Sequence, residues 1–434
     1  MFDPLRSDRP LIVYVDYKSP YAFIAKDPTC ELAAALGAEI DWRPLTLDIP
    51  SYLGSARLDA RGEVVESRRS PTQWSQVRYA YRDARRYANL RGLTLRGTTK
   101  IWDTALAGMG MLWAKAQSDS VLRRYSDRIF ERFWRREIDV EDVAAVESVL
   151  AEAGADPAGF RADALGAGRA RYEEMQRRIF DAGVFGVPGY VVEGEYYWGR
   201  EHLPRIRWIL GGRRGPAPDV AYREPRGGGA PTERVAVCVD FKSPQAYLAL
   251  EPTRALEARL GVRFDWRPLI VPALTLPRAA RAADDRGARH RRMRSEYLAR
   301  DLARYAAVRG LELGDVYRSP DTALASLGLL YLRRRAPSRA GDYVGRVFEL
   351  VWKHGADVAD PAVVEKALGA DASGFRDYAA SDGPRELAES QGELAEAGAL
   401  SVPAYLLHGE VFLGRQHLPM VEWLLGGRTG APPI

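Results

Sequence analysis

The hydrophobic pattern at the start of the chain changes from a strand period to a helix period. Residues 11–15 (LIVYV) form a continuous apolar run of strand length. Ser19 and Pro20 follow as a helix start, with the serine as N-cap and the proline as the first helical residue. The helical pattern ends near Gly37, and residues 39–43 (EIDWR) predict a second strand. Together these elements predict one right-handed βαβ unit with parallel strands.

Helical spacing dominates the next part of the chain. After a long polar loop at residues 46–71, apolar residues recur at helical spacing to about residue 182. Residues 189–198 (GYVVEGEYYW) predict two short strands joined at Glu193-Gly194-Glu195, and residues 202–210 (HLPRIRWIL) predict a closing helix. The predicted order is βαβ, a helical insertion, then ββα.

The same pattern occurs a second time in the chain. Residues 14–21 (YVDYKSPY) correspond to residues 238–245 (CVDFKSPQ). Four further motifs repeat in the same order: DWRPL at 41–45 and 265–269, DTAL at 103–106 and 321–324, VP at 187–188 and 402–403, and GR(E/Q)HLP at 199–204 and 414–419. An ordered set of this kind indicates a tandem duplication of a domain of about 200 residues.

The duplication predicts the domain organisation. The first copy spans residues 9–212 with its helical insertion at about 72–182, and the second spans 233–428 with its insertion at about 293–397. Residues 213–232 are rich in Gly, Pro and Arg and predict an exposed linker, with the boundary near residue 228.

Composition and charge exclude several classes of protein. The chain has 434 residues, of which 46% are apolar and 28% charged, as in soluble globular proteins. No apolar run approaches the roughly 18 residues needed to cross a bilayer, and no secretory leader is apparent, so we expect a cytoplasmic protein without membrane partners. The net charge is +5, and most of the positive charge is Arg, which concentrates in stretches such as residues 78–86 and 289–294. Their helical spacing favours solvated faces with internal ion pairs over nucleic-acid binding.

Cysteine and histidine usage limits the chemistry. Cys30 and Cys238 are the only cysteines, and the chain has no CxxC motif. A disulfide framework, a cysteine-based zinc site and dithiol–disulfide exchange are therefore disfavoured, no metal is expected, and both cysteines are interpreted as packing residues. His202 and His417 recur at a helix start, where a cap or surface residue is favoured over a general base.

The turn after the first strand is the main candidate site in each copy. Ser19 and Ser243 stand at helix N-termini, where free N–H groups and the helix dipole favour an anion. The alternative is that both serines are only N-caps, worth about 1 kcal/mol each. In one interpretation Asp16 orients Lys18, and Asp240 orients Lys242 in the second copy. In the alternative interpretation, each Asp–Lys pair is a surface ion pair that contributes little to stability.

The second strand of each copy supplies a further candidate. Trp42 and Trp266 are each followed by an arginine, Arg43 and Arg267. The indoles and guanidinium groups predict a pocket for an aromatic substrate that bears a carboxylate, with core packing of the two tryptophans as the alternative.

Each copy resembles the 2-hydroxychromene-2-carboxylate isomerase family, which includes the kappa-class glutathione transferases and is related to DsbA. The resemblance rests on D-x-K-S-P, D-W-R-P, the Tyr81-Arg82-Asp83 helix, D-T-A-L, and G-V-F-G-V-P followed by Tyr-Trp-Gly, which together cover nearly all of both copies. It implies an α/β fold class: two tandem thioredoxin-like folds, each carrying an all-helical insertion and packed together as a pseudo-dimer.

The resemblance also implies a cofactor and its binding residues. Ser19 and Ser243 would stabilise the thiolate of glutathione with their hydroxyl groups. The family's cis-proline element, which presents backbone groups to a peptide-like ligand, matches Val187-Pro188 and Val402-Pro403. An acidic residue that holds the γ-glutamyl amine corresponds to Glu201 and, without its charge, to Gln416, while Tyr21 joins the predicted substrate pocket and Gln245 replaces it in the second copy.

Two functions follow from these observations. The first is a glutathione-dependent isomerase or transferase that acts on an aromatic or conjugated small molecule. The second is a catalytically degenerate thioredoxin-fold protein that holds a peptide or partner segment along the cis-proline edge. The substitutions in the second copy favour the second function there. We expect a monomeric pseudo-dimer or higher self-association.

Overall fold

The computed structural model describes residues 2–59, 61–224, 234–281 and 283–433. It divides into two units. Unit 1 contains Met1–Ala217 together with Ala280–Met293, and unit 2 contains Pro218–Ala279 and Arg294–Pro433. Residues 280–293 therefore belong to unit 1, although the sequence repeat places them in the second copy. Residues 225–232 of the predicted linker, including the boundary near 228, lie outside the described residues.

The sheet of unit 1 has four strands in the order β2-β1-β5-β6. Strand β1 (Leu11–Val15) is parallel to β2 (Ile40–Pro44), and helix α1 (Pro20–Leu36) connects them. Strand β5 (Gly189–Val192) is antiparallel to both β1 and β6 (Glu195–Trp198). The β5–β6 turn has positive φ at Glu193 and Gly194, as two-residue hairpins require. The predicted βαβ and ββα parts are thus confirmed.

The remaining elements of unit 1 lie between β2 and β5 or close the unit. The polar loop predicted at 46–71 also contains a short helix and a hairpin; the second hairpin strand is wholly exposed, so no apolar alternation indicated it. The elements are α2 (Pro50–Leu53), β3 (Ala56–Leu58), β4 (Val64–Ser67), α3 (Pro71–Leu90), α4 (Ala105–Gln117), α5 (Asp119–Arg135), α6 (Val143–Glu152), α7 (Phe160–Leu165), α8 (Ala167–Asp181) and α9 (Leu203–Leu210).

Unit 2 repeats this arrangement, with a sheet in the order β10-β9-β7-β8. Its longest helix, α11, begins at Arg286, before the predicted start of the insertion near residue 293, and its residues up to Met293 are counted with unit 1. The elements are β7 (Ala236–Val239), α10 (Pro244–Leu260), β8 (Asp265–Pro268), α11 (Arg286–Val308), α12 (Ala323–Arg335), α13 (Ala340–Trp352), α14 (Pro361–Leu368), α15 (Phe375–Ala380), α16 (Gly383–Glu396), β9 (Ala404–Leu407), β10 (Glu410–Leu413) and α17 (Leu418–Leu425).

Local sequence explains where α1 begins and ends. The side chain of Ser19 accepts a hydrogen bond from the Ala22 N–H, and Pro20 occupies the first helical position. Gly37 ends the helix with φ of 62°, in the left-handed region that favours glycine. Helix α10 begins and ends in the same way. Both predicted helix starts are therefore confirmed.

A cluster of aromatic rings packs the helical insertion against the first strand-to-helix connection. In unit 1 the Tyr17 ring lies 4.7 Å from Phe130, and Phe23 stacks between Phe130 and Trp134 at 5.6 and 6.0 Å. Trp134 is fully buried, and truncating such a residue costs about 3–5 kcal/mol. Unit 2 repeats the cluster with Phe241, Tyr247, Phe348 and Trp352.

The two cysteines lie where the sequence predicts them, Cys30 in α1 and Cys238 in β7. Cys238 is fully buried, and this burial raises its pKa to about 12. Burial also raises the pKa of the partly buried Cys30. Both thiols are packing residues, as expected. None of the described helices is long and apolar enough to span a membrane.

Candidate functional site

Ser19 stands at the turn that joins β1 to α1 and is 5% exposed. Its backbone N–H donates to the Asp16 carbonyl at 2.9 Å, and its hydroxyl accepts from the Ala22 N–H at 3.2 Å. None of the described residues accepts the proton of this hydroxyl. Ser19 therefore presents an unused donor at the N-terminus of a 17-residue helix.

A buried ion pair between Lys18 and Asp16 stabilises the turn that joins β1 to α1. The Lys18 ammonium lies 3.3 Å from Asp16 Oδ2 and donates to Thr104 Oγ1 at 3.3 Å. Thr104 Oγ1 in turn donates to Asp16 Oδ1 at 2.5 Å, and the Leu47 N–H donates to Asp16 Oδ2 at 2.8 Å. Asp16 and Lys18 are 3% and 6% exposed, so the surface ion-pair interpretation is wrong. We call Asp16, Lys18 and Thr104 the Asp–Lys–Thr cluster of unit 1.

Unit 2 contains the same cluster. The Lys242 ammonium lies 2.8 Å from Asp240 Oδ2, and Thr322 Oγ1 donates to Asp240 Oδ1 at 2.7 Å. The Val271 N–H completes the carboxylate's bonding at 2.9 Å. Because Asp240 is fully buried, these bonds offset the cost of removing its charge from water.

The proline elements lie at the same end of each sheet as the serines. Val13 pairs with Tyr190 and Tyr14 with Gly189, so continuing the register by one residue places Pro188 opposite Val15. The corresponding register in unit 2 places Pro403 opposite Val239. The Val187–Pro188 and Val402–Pro403 bonds are both cis. The structure thus brings the predicted serines and Val-Pro pairs to a common sheet edge.

Position two of the helix differs between the units. The Tyr21 hydroxyl donates to Asp83 Oδ2 at 3.2 Å. Burial raises the pKa of Tyr21 well above its usual value, and the Asp83 carboxylate adds to this shift, so Tyr21 stays protonated. In unit 2 the Ser243 hydroxyl donates to Gln245 Oε1 at 3.2 Å. The hydroxyl proton of Ser243 is therefore used in a hydrogen bond within the chain, whereas no described residue accepts the hydroxyl proton of Ser19.

Glu201 and Gln416 occupy equivalent turns after the last strand of each sheet. Gly199 precedes Glu201 with φ of 113°, and a Cβ at Gly199 would overlap the Glu201 carboxylate. Gln416 instead donates from Nε2 to the Leu413 carbonyl at 2.8 Å. Unit 2 thus satisfies this side chain internally.

The nearby histidines are buried, not exposed. His202 and His417 are each 2% exposed and pack against Tyr197 and Phe412, with ring centroids 5.6 and 5.8 Å apart. Neither makes a side-chain cap hydrogen bond to its helix. Each histidine occupies the N-cap position of the last helix of its unit, but the surface interpretation is wrong, because both rings are buried.

The Trp-Arg pairs do not join the serine turn. Arg43 donates to Asp41 Oδ2 at 2.8 and 2.6 Å and to the Asp3 and Arg6 carbonyls at 2.5 and 2.8 Å. Burial alone would raise the pKa of Asp41, but hydrogen bonds from Arg43 and Lys115 lower it. Arg43 therefore has no free donor for a substrate.

Arg267, in the Trp-Arg pair of the second copy, also binds an aspartate two residues before it. Arg267 donates to Asp265 at 2.7 Å, and Trp266 is 2% exposed. Trp42 is only partly buried. The core alternative thus describes Trp266, and both arginines are paired with carboxylates of the chain itself.

A shallow aromatic cleft in unit 1 lies next to the Asp–Lys–Thr cluster. It is open to solvent and has room for about one water molecule, and its lining includes Leu47, whose N–H binds Asp16. The His290 ring stacks on Tyr52 at 4.1 Å and meets Phe185 edge-on at 5.4 Å. The other lining residues are Leu45, Thr46, Asp48, Ser51, Phe180 and Arg286.

Arg286 brings a cation to the wall of this cleft. Its guanidinium lies 4.1 Å above the Phe180 ring and 3.5 Å from Asp48. Burial lowers its pKa. The cleft thus combines aromatic faces with an arginine that is paired with the Asp48 carboxylate.

A family model for the DSBA-like thioredoxin domain matches residues 10–210 and 234–426. The chain belongs to this family. It contains two DSBA-like domains, as the duplicated motifs predict, and the two sheets with their helical insertions show the thioredoxin-like α/β fold in both.

Several relatives of this DSBA-like chain carry one name. A 2-hydroxychromene-2-carboxylate isomerase from Pseudomonas sp. (strain C18) is 31% identical over 195 residues, covering 43% of this chain and 88% of the relative. A 2-hydroxychromene-2-carboxylate isomerase from Pseudomonas putida is 30% identical over 202 residues, covering 46% of this chain and 92% of the relative. A solved structure of a 2-hydroxychromene-2-carboxylate isomerase is 24% identical, covering 45% and 96%, with a TM-score of 0.36. The two Pseudomonas relatives each have about the length of one copy, in agreement with the tandem duplication.

Sequence reasoning missed three functional candidates in this DSBA-like chain. Thr104 was visible only as part of the repeated D-T-A-L motif, whose role the motif does not reveal. Arg286 and His290 lie within or beside an Arg-rich stretch interpreted as a solvated face, yet His290 is 8% exposed. Among the described residues, no group of three or more His, Cys, Asp or Glu is arranged to hold a metal.

Proposed function

We propose that unit 1 is the site of a glutathione-dependent isomerase or transferase that acts on an aromatic or conjugated small molecule. The observation that carries this proposal is the Ser19 hydroxyl, whose proton no described residue accepts and which stands at the N-terminus of α1. A helix N-terminus favours an anion, and a hydroxyl donor strengthens that preference. A thiolate fits this site because it needs donors and no metal.

The residues of unit 1 divide into binding and positioning groups. Ser19 would donate to the glutathione sulfur, Val187 would offer its backbone groups, and Glu201 would hold the γ-glutamyl amine. The Asp–Lys–Thr cluster positions the turn, because it ties Asp16 to the insertion through Thr104 and to the second strand's exit through Leu47. When bound, glutathione would supply a thiolate that adds reversibly to a conjugated double bond and so permits rotation.

The side chains of the aromatic cleft favour an aromatic substrate. Tyr52, Phe185 and His290 offer flat surfaces, beside the Arg286 cation that is paired with Asp48. The relatives' name specifies a substrate of this kind, a bicyclic carboxylate. Tyr21, which stays protonated, is a hydrogen-bond donor to Asp83 and not a base. Glutathione use is in keeping with the expected cytoplasmic location, and the pseudo-dimer stays a prediction.

Calorimetric titration of glutathione into the wild type, Ser19→Ala and Ser243→Ala tests the proposal. We expect one site per chain that is lost in Ser19→Ala and retained in Ser243→Ala. The two variants are matched, since each serine caps a 17-residue helix in the same way. An absence of heat and of any thermal shift at millimolar glutathione would overturn the glutathione mechanism.

For unit 2 we infer the second function, a non-catalytic site that holds a peptide or partner segment. Two observations favour it: the Ser243 proton is donated to Gln245, and the Gln416 amide is bonded to the Leu413 carbonyl. Residual isomerisation of 2-hydroxychromene-2-carboxylate by Ser19→Ala measures what unit 2 contributes. Full retention of activity in that variant would contradict this assignment.

A further inference from the structure

Arg200 of unit 1 is a partly buried cation that forms no salt bridge with a described residue. Burial alone would lower its pKa, but the nearby Tyr87, Asp83 and Glu201 raise it. It lies in the turn after β6, and its guanidinium carbon is 3.5 Å from the centroid of the Tyr87 ring. The nearby Asp83 carboxylate is bonded by Tyr21 and by Arg86, the latter at 2.8 Å. None of the carboxylates in the described residues forms a salt bridge with Arg200. A guanidinium removed from water gains when an anion pairs with it.

Unit 2 contains the same set of residues. Asp301 and Arg304 form the equivalent ion pair at 2.6 Å. Arg415 occupies the turn after β10, and its guanidinium carbon lies 5.2 Å from the centroid of the Tyr305 ring. The arrangement of one acid–base pair, one tyrosine and one further arginine is thus duplicated with the domain.

The units differ in what Arg415 binds. Its Nε and Nη2 donate to Asp219 Oδ1 at 3.2 and 3.1 Å, and Nε also lies 3.3 Å from Oδ2. The two side chains are 10% and 21% exposed. Two donors of the Arg415 guanidinium converge on one oxygen of the Asp219 carboxylate. In unit 2 a carboxylate thus forms a salt bridge with the arginine beside the tyrosine, and no described carboxylate forms the equivalent salt bridge with Arg200.

Hydrophobic packing holds this carboxylate in place. Val220, the next residue, is 7% exposed and packs with Leu248, Leu302 and Tyr305. Leu248 lies on α10, the helix that begins next to Ser243. Residues 219 and 220 therefore dock beside the candidate site of unit 2 as a tethered anionic segment.

The equivalent residues Arg91 and Arg309 also differ in their acidic partners. In unit 1 Arg91 is paired with Glu31 at 2.9 and 3.0 Å. The residue equivalent to Glu31 is Ala255, and the equivalent Arg309 pairs with Asp219 instead. Unit 1 thus balances Arg91 with its own acid and leaves Arg200 for an external anion.

We propose that Arg200 is a binding site for the carboxylate of a small-molecule ligand in unit 1, and that Asp219 occupies the equivalent site on Arg415 in unit 2. The proposal goes beyond the function proposed above, because it rests on the comparison of the two units and not on glutathione. It also gives a physical reason for one open and one closed site in a duplicated chain.

Arginine-directed modification with phenylglyoxal, read out by peptide mass spectrometry, tests both parts on the full chain. Benzoate is the carboxylate probe, and benzamide is the uncharged control of the same shape. In the wild type we expect Arg200 to react and benzoate, but not benzamide, to slow its modification. At ten times its dissociation constant, benzoate slows the reaction about tenfold. Arg91, paired with Glu31, is the internal control that benzoate leaves unchanged.

Asp219→Ala and Asp219→Asn test the closed site. Arg415 is expected to react slowly in the wild type, faster in both variants, and slowly again when benzoate is added. The Arg200 measurements need no variant, so they decide the first part even if Asp219→Ala fails to fold.

Three results would overturn the proposal: an unreactive Arg200, equal protection by benzoate and benzamide, or equal reactivity of Arg415 in the wild type and Asp219→Asn. Substituting glutathione for benzoate separates the two proposals. Protection of Arg200 by benzoate alone would retain the carboxylate site, while the calorimetric titration decides glutathione binding separately.

Discussion

Units 1 and 2 share a framework and differ in the groups that we propose to meet a ligand. Both have the serine-capped helix, the buried Asp–Lys–Thr cluster and the cis Val-Pro bond. The Ser19 proton is available, whereas Ser243 donates to Gln245. Arg200 forms no salt bridge with a described residue, whereas Arg415 binds Asp219. The comparison teaches that the framework serves folding in both units, while the groups exposed to a ligand are free to diverge.

The largest effect should separate the two serines. Ser19→Ala removes the donor proposed to stabilise the thiolate, and loss of one such donor lowers kcat by about 10²–10³-fold. Ser243→Ala should leave the rate unchanged, because its hydroxyl is already bonded to Gln245. Steady-state rates with glutathione and 2-hydroxychromene-2-carboxylate check this. Equal losses in the two variants would remove the functional distinction between the units.

The cluster threonines should be equivalent for stability. Thr104→Val and Thr322→Val keep the side-chain shape but remove the shorter of the two hydrogen bonds that a buried carboxylate oxygen accepts. Each should lower the free energy of unfolding by about 1–3 kcal/mol. Chemical denaturation measures this, and only Thr104→Val should also lower the isomerisation rate. A stability loss confined to one variant would show that the shared framework does not serve both units.

The smallest expected effect is a difference in titration and reactivity between the thiols of Cys238 and Cys30. Burial raises the pKa of Cys238 to about 12 in the folded state, above its unfolded value of 9.0. The resulting stabilisation is fully present below pH 9.0 and is lost as the pH rises toward 12. At neutral pH an aromatic disulfide reagent should therefore spare Cys238 in the native protein, react slowly with Cys30, and react with both after denaturation. Rapid labelling of native Cys238 would contradict the buried position in β7.

The sequence predicted those parts of the site that local signals encode. An apolar run followed by Ser-Pro is sufficient to predict a strand and a capped helix, and Glu193-Gly194-Glu195 is sufficient to predict a hairpin. The duplicated motifs predicted both sheets and both proline elements. Where a pattern was polar on all sides, as in β4, the element was missed, because periodicity requires an apolar face.

The sequence by itself therefore determined the duplication, the order of elements and the position of each serine. The tertiary structure decided which side chains meet. Thr104 reaches Asp16 across 88 residues, Arg43 is held by Asp41 and backbone carbonyls, and His290 packs into unit 1. The physical reason is that helix caps and strand periods are set by neighbours in sequence. Ion pairs and aromatic contacts between distant segments depend instead on sheet register and helix packing.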